Sequence, residues 1–424
     1  MKQTKKKNNR QKLNMKKNRY KKKYTKKGGE AIASGSYGCV FSPALTCENT
    51  AIPYSANNVS KLMMNKDADD ELKEINKIKN YIKNIPNHDN YFLAANTSKC
   101  TPSKLPEHIL TNFDNVCSNF EKFNIDSKNV NENLHKLTLI NYKNGGLDME
   151  KYIYNLFKTN SIKTEFVHIN NALIRLLLNG IVPLNQMGVN HFDVKAGNIL
   201  MGSDGYARLI DWGISSKNDG IMVPETITER SISFNLPFSS ILFNSFLKQW
   251  LPTEIVKIKA AQTFSDQSAG QGQLLKIVAF NLINKTFEEM QDEGHYDYII
   301  NGLLHNIYKI YAIQNETTKM DYNILIYDVL VEYIQTVLTN YMDRLGNLDE
   351  TKYFYEVFSH NADIWGFLLI YAPIIENGIK YFNANFVNTL CRIFIKFCFS
   401  SEYAVKPIDV NEMVRDLISL NAMI

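Results

Sequence analysis

From residue 67 to 85 the apolar positions Leu72, Ile75, Ile78, Ile82 and Ile85 recur at three- and four-residue spacing, with acids at the front end. That period predicts an amphipathic helix. Before it, "GGEAIASGSYGCVFSPAL" (28–45) mixes small with β-branched and aromatic residues and reads as strand, glycine turn, strand. "NNVSKLMM" (57–64) is a further short strand, and "LHKLTLINY" (134–142) is a buried one that runs into Lys143-Asn144-Gly145-Gly146. The stretch from Thr101 to about Asn133 reads as a polar insertion. From about 147 onward helical periods dominate, including "INNALIRLLLNGIVPLNQMG" (169–188). Strands first and helices after predict an α+β, bilobal chain with a small β-rich part, a large α-helical part and a Gly-Gly link between them.

Composition adjusts this picture in two places. Residues 1–27 hold fourteen Lys or Arg and no acid, while 34 basic and 43 acidic residues remain outside, a net charge near −9. Such a like-charge block cannot collapse on itself and reads as a disordered basic arm over 1–29. Its charge suits nucleic acid, an anionic membrane face or another acidic surface, or nuclear import, and a solvated tail without a partner is the plain alternative. The six cysteines (39, 47, 100, 117, 391 and 398) show no zinc-ligand spacing. With no secretory signal in view, reduced thiols and an intracellular location are expected. No apolar run suggests a membrane span, "GFLLIYAPII" (366–375) being too short, and nothing in the sequence indicates an oligomeric state.

The candidate chemistry lies in separated signals that follow a fixed order. "ASGSYGCV" places Gly35 and Gly38 three apart between strands, where absent side chains let backbone N–H groups approach phosphate oxygens. Lys61 follows in an apolar strand, and the helix after it offers Glu71 and Glu74 as partners. "MGVNHFDVKAGNILM" (187–201) then brings Asp193, Lys195 and Asn198 within six residues, and "ARLIDWGIS" (207–215) adds Asp211. Hard oxygen donors of this kind suit Mg²⁺ beside phosphates. A carboxylate free of metal can accept a hydroxyl proton, and a nearby ammonium can neutralise a transferring phosphoryl group.

In that order the chain resembles the eukaryotic-type protein kinases, and within them the divergent Ser/Thr kinases of large DNA viruses. The resemblance covers roughly 30–215 and resumes at "NADIWGFLLIYAPII" (361–375), which is similar to a helix whose Asp363 would buttress the catalytic loop. It implies Asp193 as catalytic base, Lys195 at the γ-phosphate, and Asn198 and Asp211 as metal holders. Lys61 would grip the α and β phosphates, with Glu74 as its partner and Glu71 as the fallback. Ala33, Gly35, Gly38 and Val40 would form the loop and ceiling over the nucleotide. The backbones of Asn141 and Lys143 would meet the adenine edge, with Ile140 at the back of the pocket. The implied cofactors are ATP and Mg²⁺, with Mn²⁺ able to substitute, and the implied partners are protein substrates. For a viral protein the expected location is host cytoplasm, nucleus or virion. The implied domains are a small lobe over 30–143 and a large lobe over 144–424, with a helical insertion at 241–360.

Three departures qualify the resemblance. Ala33 stands at the first loop glycine, Trp212 replaces the usual Phe after the metal-holding Asp, and Phe192 replaces an Arg that clamps a phosphorylated loop in many kinases. Without that cation, a phosphate on Thr226, Thr228, Ser231 or Ser233 lacks its bidentate partner, so activity without loop phosphorylation is expected. A nucleotide-binding scaffold without turnover and a small-molecule kinase are the competing readings.

Overall fold

In this computed structural model the described residues are 30–35, 38–48, 57–93, 97–229, 233–265, 271–289, 298–314, 322–343 and 345–424. The basic arm and Ser231 lie outside them. Five antiparallel strands form the smaller part: β1 (Glu30–Gly35), β2 (Gly38–Ser42), β3 (Asn58–Met64), β4 (Ser98–Cys100) and β5 (Leu137–Lys143), in the order β1-β2-β3-β5-β4. Alternation along the strands sorts their side chains onto two faces. Cys39, Phe41, Leu62, Leu137 and Leu139 share one cluster, while Met63 and Ile140 share another with Ala68 of helix α1 (Asn65–Ile82).

The stretch expected as a polar insertion is a cap. Its short helices put Ile109, Phe113 and Phe120, with Leu105, Ile125 and Val130 from the turns around them, into the cluster under β2 and β5. Polar residues outnumber these six, and their spacing follows no single period, so the pattern concealed them. Two disulfides, Cys39–Cys117 and Cys47–Cys100, fasten cap and loops to the sheet. The expectation of six reduced thiols is therefore corrected for four of them, whose partners lie 78 and 53 residues apart in sequence. Cys391 and Cys398 are free and buried.

The chain leaves β5 through Gly145 and Gly146. A Cβ on Gly145 would fall 2.5 Å from the Leu200 side chain, and one on Gly146 (φ +100°) 1.9 Å from the Met201 carbonyl oxygen. Only glycines let the link lie this close to the strand Ile199–Met201. Beyond it helices predominate. Ile162–Leu176 continues through a π turn into Val182–Gln186. This 25-residue helix is long and apolar enough to cross a membrane by length and composition alone. It is nevertheless a core helix, with Phe166, Ile169, Leu173, Leu176 and Leu177 fully buried. Helices Ser245–Ser265, Gln271–Glu289, His305–Gln314 and Tyr322–Tyr341 occupy much of 241–360, and their Leu247, Val278, Ile307 and Ile334 belong to the same continuous core as Phe192 and Trp365. The molecule thus combines a small antiparallel sheet with a large helical part.

Candidate active site

The loop after the short strand Val189–Asn190 is held from beneath by one buried carboxylate. Asp363, on helix Ser359–Leu369, accepts the backbone N–H of His191 and of Phe192, each at 2.8 Å, and the Asn185 amide at 2.7 Å. Those bonds hold Phe192 in the left-handed region (φ 58°), a costly conformation for a bulky residue. The residues that follow are bonded to one another as a set. Lys195 Nζ lies 2.8 Å from Asp193 Oδ2, and Asn198 Nδ2 donates to the same oxygen at 2.8 Å and to the Asp193 carbonyl at 2.9 Å. Sequence reasoning passed over Asn235, whose amide donates to Asp193 Oδ1 at 3.0 Å and to the Val194 carbonyl at 3.2 Å. Ser233 in turn donates to Asn235 Oδ1, and Trp365 Nε1 holds the Phe234 carbonyl at 3.0 Å.

His191 connects this loop to the next. Its Nε2 is 3.0 Å from the Ile210 carbonyl, and its Nδ1 accepts the Asp193 N–H at 3.2 Å. That pairing requires a neutral ring with the proton on Nε2. Burial lowers the imidazole pKa and outweighs the opposing pull of Asp363, Asp193 and Asp211. Ile210 also donates its N–H to the Asn198 carbonyl at 2.9 Å, so both loops are pinned in one register. Asp211 follows with φ 66°. Trp212 is wedged between Phe92 and His191, with ring centroids 5.5 and 4.8 Å away. Leu209 pairs its N–H with the Tyr91 carbonyl at 2.8 Å, which ties this strand to the segment after α1.

On the sheet side, Lys61 forms its ion pair with Glu71, and Glu74 instead pairs with Lys77 on an exposed face. The choice of Glu74 is therefore corrected. The face of α1 turned to the sheet runs Ala68, Glu71, Ile75, Ile78, Ile82, spaced three and four apart, so stepping back from Ile75 lands on Glu71. Glu71 also accepts a hydrogen bond from the Tyr142 hydroxyl. Burial, then the charge and hydrogen bond of Glu71, and last the charge of Asp211 push the Tyr142 phenol far above its ordinary pKa, so it stays a donor. Tyr142 is thus the β5 residue bonded at the Lys61–Glu71 pair, while Ile140, opposite Lys61 in the ladder, packs against Met63 and Ala68.

Asn141 lies within the ladder, between Ser60 of β3 and Ser98 of β4, and its side chain takes part in bonds with Ser60 (2.7 Å) and the Cys47 and Cys100 sulfurs (3.5 and 3.6 Å). Lys143 pairs with Asn58 at the end of β5, beside the glycine link. Ala33 and Gly35 lie on β1 opposite Val40 and Gly38, and Val40 pairs with Lys61. Gly38 has a packing reason of its own, since a Cβ there would come within 2.7 Å of the Leu62 carbonyl oxygen.

The donors fit a hard divalent cation. Asn198 spends its NH₂ on Asp193 and keeps Oδ1 as an acceptor. Asp211 is exposed and makes no hydrogen bond or ion pair among the described residues. No group of three or more His, Cys, Asp or Glu able to hold a metal occurs among the described residues, so a cation here would depend on one carboxylate, one amide oxygen and the oxygens of a phosphate ligand.

No family model matches the chain. Short stretches are similar to curated proteins. With the mitogen-activated protein kinase kinase kinase mkh1 of Cytospora mali it shares 45% identity over 51 residues, 12% of this chain and 3% of that protein. With the serine/threonine-protein kinase cst-1 of Caenorhabditis elegans it shares 28% over 96 residues, 23% and 16% of the two chains. With cytokinesis protein sepH of Aspergillus niger it shares 29% over 90 residues, 21% and 5%. The likeness is to protein kinases. It is local, and the chain spans less than a fifth of the length of these relatives.

Proposed function

We propose that the chain is a Ser/Thr protein kinase that transfers the γ-phosphoryl group of ATP to protein hydroxyls. The observation that carries this reading is that Asp193, Lys195 and Asn198 form one bonded cluster, pinned through Ile210 to the loop of Asp211, while Lys61 is paired with Glu71 on the sheet side. In the step, the acceptor oxygen bonds to the γ-phosphorus, the bond from that phosphorus to the β–γ bridging oxygen breaks, and the hydroxyl proton passes to the Asp193 carboxylate. Lys195 stands 2.8 Å from that carboxylate and neutralises charge on the moving phosphoryl group. Lys61, held by Glu71, positions the α and β phosphates. Asp211 and Asn198 Oδ1 would hold Mg²⁺, which when bound neutralises phosphate charge. Positioning and charge neutralisation account for the rate, with no covalent intermediate on the protein.

A place among the kinases of large DNA viruses belongs to the same proposal, supported by the Asn/Lys-rich arm and the "FNLPFSSILF" segment. The test is incubation with γ-labelled ATP and Mg²⁺, offering basic and acidic proteins alongside sugar, choline and aminoglycoside acceptors. Label on Ser or Thr of a protein is the expected result. Label confined to small molecules, or nucleotide binding without transfer, would replace this reading with one of its competitors.

A further inference from the structure

Tyr142 is a large, half-buried side chain whose one polar atom is spent on Glu71. Glu71 is therefore gripped twice, by Lys61 from β3 at one carboxylate oxygen and by Tyr142 from β5 at the other. Both strands are central in the sheet and pair residue by residue from Asn58–Lys143 to Met64–Leu137. The carboxylate is thus fixed to two rigid elements rather than to one flexible lysine. A lone exposed ion pair contributes little, whereas a second, charge-assisted hydrogen bond from a ring with few rotatable bonds costs less entropy to hold. Tyr142 is followed at once by Lys143 and the glycine link, so the same residue joins the position of α1 to the path between the two parts of the molecule.

We infer that Tyr142 is a positioning residue that locks α1 against the sheet through Glu71 and so presents Lys61 to the nucleotide without an outside signal. This rests on the kinase reading for its catalytic consequence, but the lock itself is a property of the unliganded chain. Tyr142→Phe keeps the ring and its packing and removes the hydroxyl alone.

Two measurements on the full chain test it. Amide hydrogen exchange without nucleotide should speed up over 65–82 in Tyr142→Phe and stay unchanged in the helix Ile162–Leu176. Steady-state transfer should show kcat/KM for ATP lowered about 10-fold, the size of one hydrogen bond to a charged group. The loss should lie in KM for ATP with kcat little changed, because the lock presents Lys61 to the nucleotide. Wild-type exchange and an unchanged KM for ATP in Tyr142→Phe would overturn the lock. If instead wild-type protein transfers no phosphate while exchange over 65–82 still responds, the lock stands and the kinase reading fails.

Discussion

Phe192 donates its backbone N–H to Asp363 Oδ1 at 2.8 Å while its ring is fully buried, 6.2 Å centroid to centroid from Phe354. The position that would carry a phosphate-clamping cation in many kinases is here part of the core. Activity of phosphatase-treated protein is therefore expected to equal that of untreated protein. Phe192→Arg should lower stability by about 3 kcal/mol or more, because it buries a guanidinium without a carboxylate placed to receive it. Urea denaturation and turnover before and after dephosphorylation check both. Recovery of lost turnover on rephosphorylation at Thr226, Thr228 or Ser233 would contradict the first.

The two glutamates of α1 separate cleanly. Glu71→Gln removes the partner of Lys61 and should lower kcat/KM roughly 10- to 100-fold, the range of about 1.5–3 kcal/mol for a charge-assisted contact. Glu74→Gln touches only an exposed pair with Lys77 and should leave turnover unchanged. Side-by-side kinetics of the two variants decide the matter.

His191 gives the fold an acid sensitivity of definite sign. Burial lowers its folded-state pKa, so below about pH 6.5 the unfolded chain binds a proton that the folded one resists. Its contribution is present above that pH and is lost as pH falls through it. Urea unfolding at pH 7.5 and 5.5 should show a drop in stability that is smaller in His191→Asn, and equal drops in both proteins would refute the assignment.

The disulfides tie the small part together. Loops of 78 and 53 residues correspond to about 4 kcal/mol each of unfolded-state restriction. Reductant should therefore lower the thermal midpoint of the small part. Peptide mapping under non-reducing conditions should pair Cys39 with Cys117 and Cys47 with Cys100, leaving Cys391 and Cys398 alkylatable only after unfolding.

Much of this was legible in the residues. The α1 period, β3, β5, the glycine link and the ordered Asp193, Lys195, Asn198 and Asp211 all depend on local pattern, which sequence exposes directly. What escaped depends on long-range closure. Glu71 over Glu74 is a matter of helix phase against a sheet, and the Tyr142–Glu71 bond joins residues 71 apart. The Asn235 contact spans 42 residues, and the cap's disulfides span more, so neither leaves a periodic trace.

The central claim is that Asp193 takes a proton from a hydroxyl acceptor while Lys61 and Asp211 manage the nucleotide. Its most direct test is transfer from γ-labelled ATP in Mg²⁺ by wild-type protein and by Asp193→Asn, with nucleotide binding measured on both by calorimetry. Label on Ser or Thr is expected from wild type, with a loss of transfer of at least about 100-fold in Asp193→Asn and nucleotide binding preserved in both. Equal labelling by the two proteins, or none by either, would contradict it.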